Sequence, residues 1–134
     1  MDDQRDVGEV RDDSIRLNSV TLDCPDAGAL AAFYAEITGG AVVVRHEGWA
    51  RVDGPGGRID FQTVPAHTPP TWPTGPVPMQ SHLDLLVTDR DAAEVRVLAA
   101  GAKKYEFQPN DDHCSVYADP AGHPFCLTTW DSPT

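Results

Sequence analysis

One pattern of local structure signals occurs twice along the chain, and this repetition limits the fold more than any single motif does. Residues 14–24 (SIRLNSVTLDC) are rich in β-branched and aliphatic side chains and read as a strand, stopped by Cys24-Pro25. Asp26 is a helix N-cap. Behind it Leu30, Phe33, Tyr34 and Ile37 fall on one helical stripe, and Gly39-Gly40 ends the helix at about Thr38. Strands are expected at 41–45, 48–52 and 58–64, with Asp53-Gly54-Pro55-Gly56-Gly57 as the clearest turn.

The order then restarts. Residues 81–88 alternate, with Leu83, Leu85 and Val87 on one face and His82, Asp84 and Leu86 on the other. Asp89 caps a helix carrying Ala92, Val95 and Leu98, and Gly101 ends it. Strands follow at 102–108, 113–118 and 124–130, the last two joined by Asp119-Pro120-Ala121-Gly122. Asp26 and Asp89 stand at the same spacing as Ser19 and His82, so each half reads β-α-β-β-β. A lone unit leaves one side of its sheet wet. Two units together can curl into an open cup with helices on the outer face, which is an α+β architecture that forms a pocket.

The halves are modules at about 14–64 and 81–131 of a single domain spanning 14–134. They are joined by 65–80, a stiff, extended connector holding six of the 12 prolines. A chain of 134 residues is one domain's worth of material. Residues 1–13, with many carboxylates and few apolar groups, read as a disordered acidic tail.

A formal charge of −11 argues against nucleic acid and against an anionic membrane surface, because both recognise a basic face. The acidity favours cationic small molecules instead. No apolar run reaches the length of a membrane span, and the N-terminus shows no secretory signal. Cys24, Cys114 and Cys126 lack CxxC spacing and read as reduced thiols, consistent with a cytoplasmic setting.

Taken in order, several segments resemble the vicinal oxygen chelate superfamily (glyoxalase, bleomycin resistance protein and dioxygenase), in its glyoxalase-like subgroup. These are Leu22-x-x-Pro25-Asp26, Phe33-Tyr34, Ile59-Asp60-Phe61-Gln62 with Val64-Pro65, His82-Leu83-Asp84-Leu85 with Asp89, and Gly101-Ala102. The fullest match is Asp119-Pro120-Ala121-Gly122-His123-Pro124-Phe125-Cys126. The resemblance implies paired βαβββ modules forming a cupped mixed sheet, a homodimer, and a small-molecule site in the cup. It does not fix a reaction.

Enzymes of the superfamily hold a divalent metal on side chains of the first and fourth strands of each module. Carried over by position, these are Ser19, Gln62 (or Asp60), His82 and Cys126. Neutral Ser19 and Gln62 are weak ligands, so no cofactor is expected. The alternative keeps a divalent metal (Zn, Mn, Fe or Mg) on His82, Asp60, Gln62 and Cys126, with His82, Asp60 and Cys126 as its three-ligand zinc form. Without a metal, His82 is a cup-lining histidine bonded to Asp84, and Cys126 points away from Phe125 and Leu127 toward the cavity. A Cys126/His82 nucleophilic pair lacks an orienting group other than Asp84.

Asp111-Asp112-His113-Cys114 reads as a solvated loop entering the strand at 113–118, and His46, His67 and His123 as exposed residues near turns or in the connector. No GxSxG elbow, phosphate loop or dinucleotide fingerprint occurs. The expected ligand-binding set is Ser19, Thr21, Asp23, Trp49, Gln62, Trp72, His82, Asp84, Cys126 and Trp130. Trp72, a large aromatic among prolines, is expected as a lid or at a dimer interface. The expected function is metal-independent sequestration of an aromatic or cationic compound, such as a natural-product antibiotic. The alternative is a metal-dependent lyase, isomerase or dioxygenase.

Overall fold

A computed structural model describes residues 13–130. The expected acidic tail lies outside the described residues except for Asp13, as do residues 131–134 at the end of the expected domain. The first half folds as β1 (Val20–Cys24), α1 (Ala27–Thr38), β2 (Ala41–His46), β3 (Trp49–Gly54) and β4 (Gly57–Thr63). The second half gives β5 (Leu83–Leu86), α2 (Arg90–Ala100), β6 (Lys103–Lys104), β7 (Cys114–Ala118) and β8 (Pro124–Thr128). Each half forms its own four-stranded mixed sheet, in the orders β1-β4-β3-β2 and β5-β8-β7-β6. In each, the outer strand before the helix pairs in parallel with the last strand of the unit. The result is the tandem βαβββ fold.

Local chemistry explains the shared frame. The carboxylates of Asp26 and Asp89 accept from the backbone N–H of Ala29 and Ala92, capping the two helices alike. Gly39 closes α1 in the left-handed conformation, with φ of 77°. Leu30, Phe33, Tyr34 and Ile37 are all buried, as their spacing requires.

One core joins the halves. Tyr34 stacks on Phe61 of β4 with ring centroids 5.6 Å apart and meets Phe125 of β8 edge-on at 6.2 Å. The Tyr34 hydroxyl donates to buried Asp119 at 2.7 Å, and Asp119 also accepts from the backbone N–H of Ala121 and His123. The Asp-Pro-Ala-Gly-His turn is therefore a structural clasp between the modules. The helix-covered faces of both sheets share this core, leaving the other face of each sheet open.

Four local expectations change. The strand expected at 14–24 begins only at Val20; its parallel partner β4 starts at Gly57, after the hairpin turn, and leaves no backbone in register with residues 14–17. Ile15 and Leu17 are consequently exposed. The buried residue of α2 is Val97, flanked by Ala93 and Ala100, whereas Ala92, Val95 and Leu98 face outward. Short α2 offers two weak apolar stripes, and contact with the core selects between them. The strand expected at 102–108 shrinks to Lys103–Lys104 because the Gln108 side chain takes over the ladder. Its Oε1 accepts from the Val116 N–H at 2.8 Å and its Nε2 donates to the Val116 carbonyl at 3.0 Å. The connector is not simply extended: Thr71 and Val77 bond reciprocally and fold it into a loop.

Candidate functional site

The candidate site residues sit on the open faces of the two sheets, and strand register explains why. Phe61 points to the helices, so its neighbours Asp60 and Gln62 point away from them. Thr21 pairs with Asp60, Asp23 with Gln62, Arg51 with Asp60 and Trp49 with Gln62, which collects all six on one face. Ser19 follows the same alternation.

On this face Asp60 is buried and fully engaged. Its Oδ1 accepts from Arg51 Nε at 2.7 Å, and its Oδ2 accepts from Arg51 Nη2 at 3.0 Å and from the Ser19 hydroxyl at 2.8 Å. The Arg51 guanidinium holds the Asp60 carboxyl below its ordinary value against the opposing effect of burial, and Ser19 adds to this. Arg51 also lies 5.3 Å from the centre of the Trp49 ring, which stacks on His46 at 6.0 Å. Thr21, Asp23 and Gln62 are exposed beside this network. Arg51 was not among the residues expected here. The signal was present in the hairpin: pairing Gly54 with Gly57 brings Arg51 opposite Asp60.

The open face of the second sheet has different chemistry. Asp84 pairs with Cys126 across β5 and β8, and Cys126 with Val116 across β8 and β7. His82 Nε2 lies 3.1 Å from Asp84 Oδ1. One ligand atom each from His82, Asp84 and Cys126 lies within 4.8 Å of the others. Burial pushes the Cys126 thiol up to about 12, and contact with the Asp84 carboxylate and the Cys114 thiol acts in the same direction. Cys114, where the expected loop enters its strand, opens β7 next to Cys126. Asp111, Asp112 and His113 remain exposed.

The aromatic groups gather in three places. Trp72 packs edge-on to Tyr105 at 4.9 Å and lies 5.5 Å from Phe107, so the connector leans on the irregular segment after β6. Trp130 lies against His113 at 4.5 Å, and Trp49 belongs to the first sheet. Contrary to the expectation of exposure, His67 and His123 are half-buried. Their Nε2 atoms bond the carbonyls of Ala121 and Asp23 at 3.0 and 2.6 Å, and their rings lie 5.3 Å apart. His67 thereby fastens the connector to the Asp119 turn, and His123 fastens that turn to the first module.

The metal set implied by the resemblance can be tested against this geometry. Ser19 and Asp60 bond each other, Arg51 occupies both Asp60 oxygens, and a cation there would meet the guanidinium charge. Asp60 also lies outside the His82, Asp84 and Cys126 group. A metal spanning both modules on Ser19, Asp60, His82 and Cys126 does not fit these residues.

The family model for the glyoxalase-like domain matches residues 19–128. The chain belongs to this family, within the glyoxalase/bleomycin resistance/dioxygenase (vicinal oxygen chelate) superfamily. No curated protein matches it. Among solved structures it is similar to a glyoxalase-related enzyme from Fulvimarina pelagi, at 23% identity and a TM-score of 0.64 over 84% of this chain and 86% of that one. A glyoxalase/bleomycin resistance protein from Albidiferax ferrireducens aligns at 18% identity and a TM-score of 0.62, covering 84% and 96% of the two chains. The fosfomycin resistance protein FosX from Listeria monocytogenes, in a mutant complexed with Mn(II) and 1S,2S-dihydroxypropylphosphonic acid, aligns at 16% identity and a TM-score of 0.66, covering 85% and 89%. At these identities the likeness is one of fold.

Proposed function

We propose that this protein binds and sequesters an aromatic or cationic small molecule without the two-module metal used by enzymes of its superfamily. The observation that carries this reading is the closure of Asp60 by Arg51 and Ser19, which takes the first module out of metal ligation. What remains on that face is Trp49 beside exposed Thr21, Asp23 and Gln62. This is a flat aromatic wall next to a carboxylate, on a chain of net charge −11. Names among the structural neighbours point to bleomycin and fosfomycin resistance, which supports a natural-product antibiotic as the ligand class.

In this reading Ser19, Thr21, Asp23, Trp49 and Gln62 line one wall and His82, Asp84, Cys126, Trp130 and Trp72 the other. The walls meet in a homodimer. Exposed Val20, Val42 and Val43 on the first sheet and Leu86 on the second are apolar groups for such an association to cover. Free thiols at Cys24, Cys114 and Cys126 fit a cytoplasmic setting.

The test is thermal shift and tryptophan fluorescence of chelator-treated protein against bleomycin-type glycopeptides, mitomycins and enediynes. A bound compound should raise the melting temperature, and Trp49→Ala and Asp23→Asn should each weaken it at least about tenfold. Binding that appears only after Mn(II) is restored would overturn the reading. That result would favour the second reading, a metal-dependent lyase, isomerase or dioxygenase, for which the convergence of His82, Asp84 and Cys126 is the supporting observation.

A further inference from the structure

We propose that Cys114 and Cys126 are a hydroperoxide-oxidisable pair that closes into a disulfide across β7 and β8, with Cys114 the residue oxidised first. Cys114 pairs with Thr128 and Val116 with Cys126, so the two cysteines are diagonal neighbours on one face of the ladder. The Asp119 N–H donates to the His123 carbonyl and the Thr129 N–H to the His113 carbonyl, which marks those positions as hydrogen-bonded pairs. By alternation the Cys114–Thr128 and Val116–Cys126 pairs are the ones without ladder bonds, where facing side chains come closest. The right-handed twist of the strands draws this diagonal together, and the two thiols are in contact. A disulfide spans Cα atoms up to about 7 Å apart. Because β7 begins at Cys114, its backbone can settle onto the bond while the rest of the ladder holds.

The two sulfurs differ in access. Cys114 is half-buried and follows the exposed residues 109–113, whereas Cys126 is buried. An oxidant therefore meets Cys114 first, and Cys126 stands behind it as the resolving thiol. Cys24 lies on β1 in the other sheet, fully buried, with its thiol donating to the Gln62 carbonyl, and takes no part. Charge selects the oxidant. Asp84 touches Cys126, and Asp111 and Asp112 precede Cys114, on a chain of net charge −11. These carboxylates repel an anionic disulfide such as oxidised glutathione and leave the pair open to a small neutral hydroperoxide.

In the first step the Cys114 sulfur takes one oxygen of hydrogen peroxide. The O–O bond breaks, the second oxygen leaves as water, and Cys114 becomes a sulfenic acid. In the second step the Cys126 sulfur attacks the Cys114 sulfur. The S–S bond forms, the S–O bond breaks, and the hydroxyl leaves as water with the Cys126 proton. Two electrons pass from the pair to the peroxide, and a small thiol reverses the bond by exchange. The neighbouring thiol makes closure intramolecular, so it outruns further oxidation of Cys114. Closure also removes the Cys126 thiol from the Asp84 carboxylate. A change in ligand capture from that loss rests on the sequestration reading; the disulfide itself does not.

The test exposes reduced full-length protein, with chelator and without ligand, to a small excess of hydrogen peroxide at near-neutral pH. Denaturing alkylation, chymotryptic cleavage after Tyr117 and mass spectrometry then locate the sulfurs. The wild-type protein should lose about two mass units, yield a peptide pair joined through Cys114 and Cys126, and recover both thiols with dithiothreitol. Cys126→Ser should stop at the first step, leaving a Cys114 sulfenic acid that dimedone traps. Cys114→Ser should leave Cys126 alkylatable, and Cys24→Ala should close the bond as wild type does. Oxidised glutathione at the same concentration should close it at least about tenfold more slowly. Retention of all three free thiols in the wild-type protein would overturn the proposal, as would a disulfide that includes Cys24 or joins two chains. Trapping of sulfenic acid on Cys126 instead of Cys114 would overturn the order of oxidation, and equal rates with glutathione would overturn the choice of oxidant. The sequestration reading stands or falls separately, because no ligand is present in this experiment.

Discussion

Arg51 grips Asp60 through two parallel N–H···O bonds of 2.7 and 3.0 Å, on adjacent antiparallel strands. This pairing decides the chemistry of the first module, because the carboxylate best placed to hold a metal is the one already neutralised. Asp60→Asn retains the shape and removes the charge, and should cost about 2 kcal/mol of folding stability. Urea denaturation would measure it; an unchanged midpoint would mean the ion pair is incidental.

The same pair gives the acid limb a sign. Arg51 depresses the carboxyl of folded Asp60 below its ordinary value of 3.8, so the stabilisation is complete above that value and is lost as pH falls through the lower folded value. Wild-type stability should therefore decline below about pH 4 more steeply than that of Asp60→Asn. Melting temperatures across an acid series for both proteins would show it, and parallel curves would exclude it.

Tyr34 bridges the modules by donating to Asp119 in the shared core. Tyr34→Phe keeps the ring contacts and leaves a buried carboxylate oxygen without its donor, a loss of roughly 1.5–3 kcal/mol. Calorimetry should show a lower melting temperature with the transition still single, since the aromatic packing remains.

Two valines of α2 provide a direct comparison. Val97 is 2% exposed and Val95 is 69% exposed. Val97→Ala should destabilise by about 1–3 kcal/mol, whereas Val95→Ala should stay within roughly 0.5 kcal/mol of wild type. Equal effects would show that the helix packs on its other stripe.

The thiols should differ in reactivity. Cys126 is 7% exposed with its thiol pushed up to about 12, and Cys24 is fully buried. Cys114 is only half-buried. Alkylation at near-neutral pH, followed by peptide mass spectrometry, should label Cys114 first and leave Cys24 and Cys126 largely intact. Preferential labelling of Cys126 would contradict this placement.

The sequence by itself determined the features that depend on neighbours along the chain. Asp26 and Asp89 cap their helices, Gly39 stops the first, and alternation in β5 turns Asp84 away from the core; each effect acts within a few residues. The repeated unit, and with it the fold, was therefore legible. Tertiary structure alone decided what depends on register and on contact between distant strands. The pairing across β3 and β4 aims Arg51 at Asp60. The ladder through β5, β8 and β7 brings Asp84, Cys126 and Cys114 together. Contact with the shared core chose Val97 over Val95, and the Gln108 side chain replaced most of an expected strand. A carboxylate's role is set by the charge that reaches it first, and in a β protein that charge arrives from a neighbouring strand.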